Sequence, residues 1–127
     1  LSAYVQEVAD IVNEERGKAG AAPLAVDESL CRLAQLKAED MRDNDYFDHD
    51  SPTYGRSHEM MKQFGVSYRA SGENIAMGQR TPEQVMSEWM NSQGHRKNIL
   101  NDTYEKIGVG YCTGGTGRTY WVQMFIK

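Results

Sequence analysis

A chain of 127 residues with 39% hydrophobic and 25% charged side chains has the makeup of one globular domain, too short for a two-domain cofactor enzyme or a (β/α)₈ barrel. Its net charge is −4, and Lys62, Arg69, Arg80 and Lys106 are scattered singly, which speaks against a nucleic-acid partner. No stretch approaches the roughly 18 to 20 apolar residues of a membrane-spanning helix, so no membrane span is expected. The first residue is Leu1 rather than Met, so the chain is read as a trimmed or mature segment with any signal peptide outside it.

Ser2 is placed to cap a helix whose apolar positions Val5, Val8, Ala9 and Val12 fall at helical spacing, with Gly17 and Gly20 ending it. After a connector over 21–26, Asp27 offers its carboxylate to the free amides of a second helix with the stripe Leu30, Ala34, Ala38 and Met41, stopping near Asn44. Residues 46–55 follow neither period and read as a structured loop carrying His49 and Ser51. A short helix over 57–64 closes at Gly65, with Met60 and Met61 as core. Residues 70–78 suit a loop or a strand edge better than a helix. Thr81 then caps a helix with Pro82 in its first position and Gln84 at the capping-box position; Val85, Met86, Trp89 and Met90 form its stripe. That helix is expected to end near Gly94, leaving His95 at or just past its carboxyl end, with one more turn over 95–100.

The last segment reads as a hairpin, 107–112 and 119–126, around a Thr-Gly-Gly-Thr-Gly turn over 113–117. In its second strand Tyr120, Val122, Met124 and Ile126 alternate with Trp121, Gln123 and Phe125, so both faces are largely apolar and helices must cover both. The expectation is an α+β, three-layer α-β-α sandwich around a small, mainly antiparallel sheet, filling 1–127 as one domain. Gly108 and Gly110 share one strand face, where missing side chains admit another backbone closely.

Several common chemistries fail on their residues. His58-Glu59-Met60-Met61-Lys62 opens like a zinc-protease helix, but Lys62 stands where the second imidazole is needed. No nucleophile elbow, phosphate loop or dinucleotide glycine pattern is present. Cys31 and Cys112 match no Cys-x-x-Cys pattern and are either a long-range disulfide or two buried thiols. The remaining polar groupings are Phe47-Asp48-His49-Asp50-Ser51, Gly72-Glu73-Asn74-Ile75-Ala76 and Trp89 through Gly94-His95-Arg96. With Asn13 and Arg16 before them, and Asn98-Ile99-Leu100, Gly108-Val109-Gly110-Tyr111 and Tyr120-Trp121 after, they form an ordered set over nearly the whole chain. In that set the chain resembles the CAP superfamily of SCP-like extracellular proteins, which includes cysteine-rich secretory and pathogenesis-related proteins, and most closely its bacterial branch.

The resemblance implies an α-β-α sandwich with a central cleft that many members line with two His and two Glu. His49 and His95 match the histidines, and Glu73 matches the first acid. At the second acid's position this chain has Ser92, as bacterial relatives commonly do. Glu88 is one residue before Trp89 on the wrong side of a helix and does not replace that acid. The resemblance further implies a secreted or cell-surface location. Members have been linked to sterol or lipid binding, to protease-like activity and to host or cell-wall interactions, so the partner here is an unidentified protein, lipid or cell-wall ligand.

Neutral imidazoles are good ligands for Zn²⁺ or another divalent metal, yet a zinc site normally takes at least three protein ligands, so two histidines imply weak, solvent-completed binding. Glu73 is open to three roles: a third ligand, an acceptor orienting an imidazole, or a base acting on bound water. A purely structural polar network of His49, Glu73 and His95 stands beside these. Ser51, Ser92 and Asn74 join Glu73 as cleft-lining candidates, with Asn74 also suited to satisfying loop backbone and Arg96 to pairing with a carboxylate. Ser92 and His95, three apart, suggest a hydrolytic pair, but no orienting acid or oxyanion donor accompanies them. The favoured reading is a module that is not catalytic and whose cleft takes up a metal and a ligand. The alternative is a metal-assisted, protease-like hydrolase with Glu73 as general base.

Overall fold

The computed structural model describes residues 2–127. Side-chain oxygens start three of the helices where the sequence places them. Ser2 accepts from the Val5 amide to open α1 (Ala3–Lys18), and Asp27 accepts from Leu30 to open α2 (Glu28–Asp43). A short α3 (Ser57–Gln63) precedes strand β2 (Ser71–Met77), and Thr81 accepts from Gln84 to open α4 (Pro82–Met90). Helix α5 (Gln93–Leu100) leads into the hairpin β3 (Lys106–Thr113) and β4 (Thr119–Ile126).

The sheet has the order β1-β3-β4-β2, with β1 (Ala25–Val26) lying inside the segment read as a connector. Its two residues pair parallel with β3, Ala25 opposite Lys106 and Val26 opposite Ile107. A pairing this short leaves no periodicity in the sequence. Asn13 on α1 fixes the approach to it, accepting from the Leu24 amide at 2.7 Å and donating to the Leu24 carbonyl at 3.0 Å. The other two pairings are antiparallel, and β2 is an edge strand, one of the two alternatives open for residues 70–78.

Because β4 is buried along its whole length, the sheet needs cover on both faces. Tyr120, Val122, Met124 and Ile126 pack with Leu30, Leu33, Ala34, Met41, Met60 and Met61 of α2 and α3. Trp121 and Phe125 pack on the other side with Val5, Val8, Val12, Val85, Met86, Trp89 and Ile99 of α1, α4 and α5. The result is the expected α-β-α sandwich. On β3 the α-carbons of Gly108 and Gly110 lie so close to α2 that a methyl group at either would run into the backbone of Leu30 or Ala34.

One expectation is corrected, and one open alternative is decided. The helix carrying Trp89 stops at Met90 rather than near Gly94, because Asn91 turns its side chain back to the Ser87 carbonyl and Ser92 is extended at φ −108° and ψ 119°. Gly94 therefore lies inside α5, and His95 sits in its first turn. The cysteines are both free and buried, in opposite halves of the core. Cys31 lies over Gly108, and Cys112 is four residues further along the same strand, about 13 Å at strand rise. A disulfide tolerates no more than about 7 Å between α-carbons.

Candidate functional site

Helix α2 positions the loop that carries His49. Lys37 is buried, and its ammonium donates to the carbonyls of Asp48 at 2.8 Å and His49 at 2.9 Å while lying 5.2 Å from the centre of the Tyr46 ring. One turn on, the Asp40 carboxylate accepts from Asn44, Ser51 and Thr53, each at 2.6 Å, and from the Tyr46 hydroxyl. Burial pushes the Asp40 carboxyl up, but hydrogen bonds from Ser51, Thr53, Tyr46 and Asn44 outweigh it and hold the group below its ordinary value of 3.8. Burial likewise lowers Lys37, against the raising fields of Glu73 and Asp40. Ser51 is thus committed to this brace, since its oxygen also accepts from the Thr53 and Tyr54 amides. It does not reach the histidines. Sequence reasoning passed over Lys37 and Asp40 because a helical Lys and Asp usually face water.

With the loop so held, His49 Nδ1 meets Glu73 Oε1 at 2.7 Å. The carboxylate is 3% exposed and the ring 44%, so the acid lies beneath and the imidazole opens outward. A carboxylate oxygen accepts, which puts the proton on Nδ1 and leaves the Nε2 lone pair free. Glu73 Oε2 is buried without a partner among the described residues. Across the cleft, His95 Nδ1 lies 2.8 Å from Ser92 Oγ, and Ser92 spends its hydroxyl there instead of capping α5. Burial first, and the nearby His49 second, lower the His95 imidazole below its ordinary 6.5. Both histidines therefore have Nδ1 engaged and Nε2 unassigned.

Asn74 is on the opposite face of β2 from Glu73 and is fully buried. Its amide donates to the His95 carbonyl at 3.1 Å and to Gln123 Oε1 at 3.0 Å, and its oxygen accepts from Asn98. It fixes the start of α5 rather than lining the cleft. Arg96 is exposed and pairs with no carboxylate among the described residues.

The cleft beside His95 and Ser92 is a cavity of about 340 Å³, walled by Phe47, Ile75, Met77, Gln79, Glu88 and Trp89. Glu88 is turned to the Gln79 amide at 2.9 Å. Phe47 stands in a motif of the sequence without being marked as a cleft residue, and Met77 and Gln79 carry no signal that distinguishes them from strand-end and loop residues; only the folding of β2 against α4 brings them together. Among the described residues no three His, Cys, Asp or Glu side chains cluster as a metal centre. What these residues offer is two imidazoles, each with Nδ1 engaged, and Glu73 lies beneath the first of them.

The model of the cysteine-rich secretory protein family, CAP, matches residues 9–125. The chain belongs to the CAP family. It is 54% identical over 126 residues to the uncharacterized protein YkwD of Bacillus subtilis, covering 99% of this chain and 48% of YkwD. It is 36% identical to the uncharacterized membrane protein YlbC of the same organism, covering 96% of this chain and 34% of YlbC. A crystal structure of an extracellular protein containing an SCP domain from Bacillus anthracis superposes with a TM-score of 0.89 at 34% identity, covering 98% of this chain and 40% of that one. The chain thus spans half or less of the length of these relatives. No helix among the described residues is long and apolar enough to cross a membrane.

Proposed function

We propose that this CAP domain is a secreted or cell-surface binding module whose cleft takes up a divalent cation, such as Zn²⁺, through Nε2 of His49 and His95. The observation that carries the reading is the engagement of both Nδ1 atoms, by Glu73 at 2.7 Å and by Ser92 at 2.8 Å. That is the arrangement by which proteins orient imidazoles toward a metal. Ser92 both donates and accepts, so it can leave His95 Nε2 as a lone pair. With two protein ligands, solvent completes the coordination and binding is weak. When bound, the ion supplies a positive charge and Lewis acidity for a ligand's oxygen. The extracellular location follows the Bacillus anthracis relative, and the ligand is a protein, lipid or cell-wall component.

A titration of zinc against a chromophoric chelator tests the metal. Uptake by the wild type that is lost in the double variant His49→Ala, His95→Ala supports the reading, and unchanged uptake removes it. The hydrolase reading gives Glu73 the role of base. Its Oε1 is committed to His49 and its Oε2 is closed to solvent, which supports orientation over proton abstraction. A peptide and ester screen with zinc is expected to show no turnover; turnover abolished by Glu73→Ala would establish the enzyme instead.

A further inference from the structure

Strand β2 ends one side of the sheet, so one of its edges has no partner strand. Hydrogen bonding identifies which groups face outward. The Gly78 amide donates to the Thr119 carbonyl and the Lys127 amide to the Ala70 carbonyl, which assigns alternate residues from 70 to 78 to the ladder with β4. The peptide groups of Ser71, Glu73, Ile75 and Met77 therefore point to the free edge.

That edge is treated unevenly. Three side chains satisfy its carbonyls: Tyr104 donates to Ser71 at 3.0 Å, Asn98 to Glu73 at 3.2 Å and the Trp89 indole to Ile75 at 3.1 Å. Among the described residues no oxygen accepts from the four outward amides, and of these residues Ile75 and Met77 line the cavity beside His95. The strand thus offers the cleft two N–H groups on one side, about 7 Å apart as residues i and i+2 of a strand are. Only Met77 keeps a free carbonyl beside its amide.

We propose that this edge, beside the histidine pair, docks a short, uncharged, extended peptide segment. Its carbonyls accept from the Ile75 and Met77 amides, and one apolar side chain of the segment lies between Phe47 and Met77. Those two side chains are large apolar groups left 43% and 44% exposed, and both wall the cavity. Carbonyls two residues apart in an extended chain match the spacing of the two amides. An anion is disfavoured because Glu88 walls the same cavity. A strand from a second copy is disfavoured because the carbonyls of Ser71, Glu73 and Ile75 are taken, leaving no ladder longer than two residues. The volume of about 340 Å³ is at the small end of ligand cavities and suits a segment of that length.

The contact needs no metal, so it is measured in EDTA and stands apart from the zinc reading. The probe is acetyl-Ala-Leu-Ala-Leu-amide, titrated into ¹⁵N-labelled protein. Saturable downfield shifts of the Ile75 and Met77 amide protons are expected, with Gly72 and Asn74 on the ladder side unmoved. Met77→Pro deletes one donor while leaving the β4 ladder intact, since its N–H faces outward. It should bind the peptide about tenfold more weakly than Met77→Ala, which also lacks the Met77 side chain but keeps the N–H, as loss of a single hydrogen bond implies. Met77→Ala keeps the N–H and should retain the shift at Ile75. Absence of saturation at millimolar peptide overturns the proposal, as does binding by a folded Met77→Pro equal to that of Met77→Ala. Equal shifts with acetate or inorganic phosphate would identify an anion site instead, and shifts that follow protein concentration alone would identify self-association. If Met77→Pro fails to fold, the wild-type amide shifts decide.

Discussion

The two neighbouring imidazoles lean on partners that differ in kind. His49 leans on a buried carboxylate, which fixes its proton, whereas His95 leans on a hydroxyl that imposes no fixed direction. His95 is consequently the more responsive of the two to its surroundings. Burial, and then the neighbouring His49, hold it below 6.5. A lowered histidine is neutral in the fold at a pH where the unfolded chain is already protonated. Its favourable share of stability is therefore complete above about 6.5 and is lost as pH falls from there toward the folded value. A proton NMR titration should find the His95 midpoint below 6.5, and His49→Ala should move it up by removing the like charge. A His95 midpoint at or above 6.5 would contradict the geometry. At this scale the sequence was legible in part. The motifs marked His49, Glu73 and His95, but Ser51 was drawn toward the cleft because a hydroxyl near a histidine reads as a partner. What takes it away is Asp40, 11 residues earlier on a helix, and only the fold brings the two together.

The loop and α2 act as one piece. Lys37 and Asp40 are a turn apart on the helix, and between them they hold the backbone of 48–49 and the side chains of Asn44, Tyr46, Ser51 and Thr53. Replacing Asp40 by Ala strands several donors in a site that is 8% exposed, so a cost of about 3 kcal/mol is expected from chemical denaturation. Its folded pKa is depressed, which means its stabilisation is present above 3.8 and is lost as pH falls through the folded value. Wild type should lose stability through that acid range and Asp40→Ala should lose less, with zinc uptake weakened as His49 comes adrift. An acid profile of the variant parallel to that of the wild type would show that the carboxylate is not the brace. Helix starts were readable here because caps are local, as with Thr81 and Gln84. The break at Ser92 was not, because Gly94 resembles a terminator and the extended Ser92 depends on its bond to His95 and on Asn74 holding the His95 carbonyl.

Across the whole molecule, stability rests on a sheet that is apolar on both faces, with one core cluster centred on each side of it. The alternation of aromatic and aliphatic residues in β4 made that layering legible, and the glycine pair on β3 marked where α2 approaches. The cysteines were not legible, because an even count far apart in sequence fits either a bridge or two packed thiols. The fold decides by register. Cys31 accepts from the Val109 amide at 3.4 Å, while Cys112 packs with the opposite cluster near Arg42 and Glu39. Burial pushes both thiols above their ordinary value of 9.0, so each is inert in the folded state. Thiol titration should therefore find two reactive groups in denaturant without reductant and only slow reaction in the native protein. The same geometry requires that reductant leave the melting temperature unchanged, since the fold contains no bridge to break. No reactive thiol in denaturant would mean that oxidation has drawn the two cysteines together, a shift of α2 along β3 of at least about 6 Å. That displacement would carry Lys37 and Asp40 with it and could not leave the His49 loop in place.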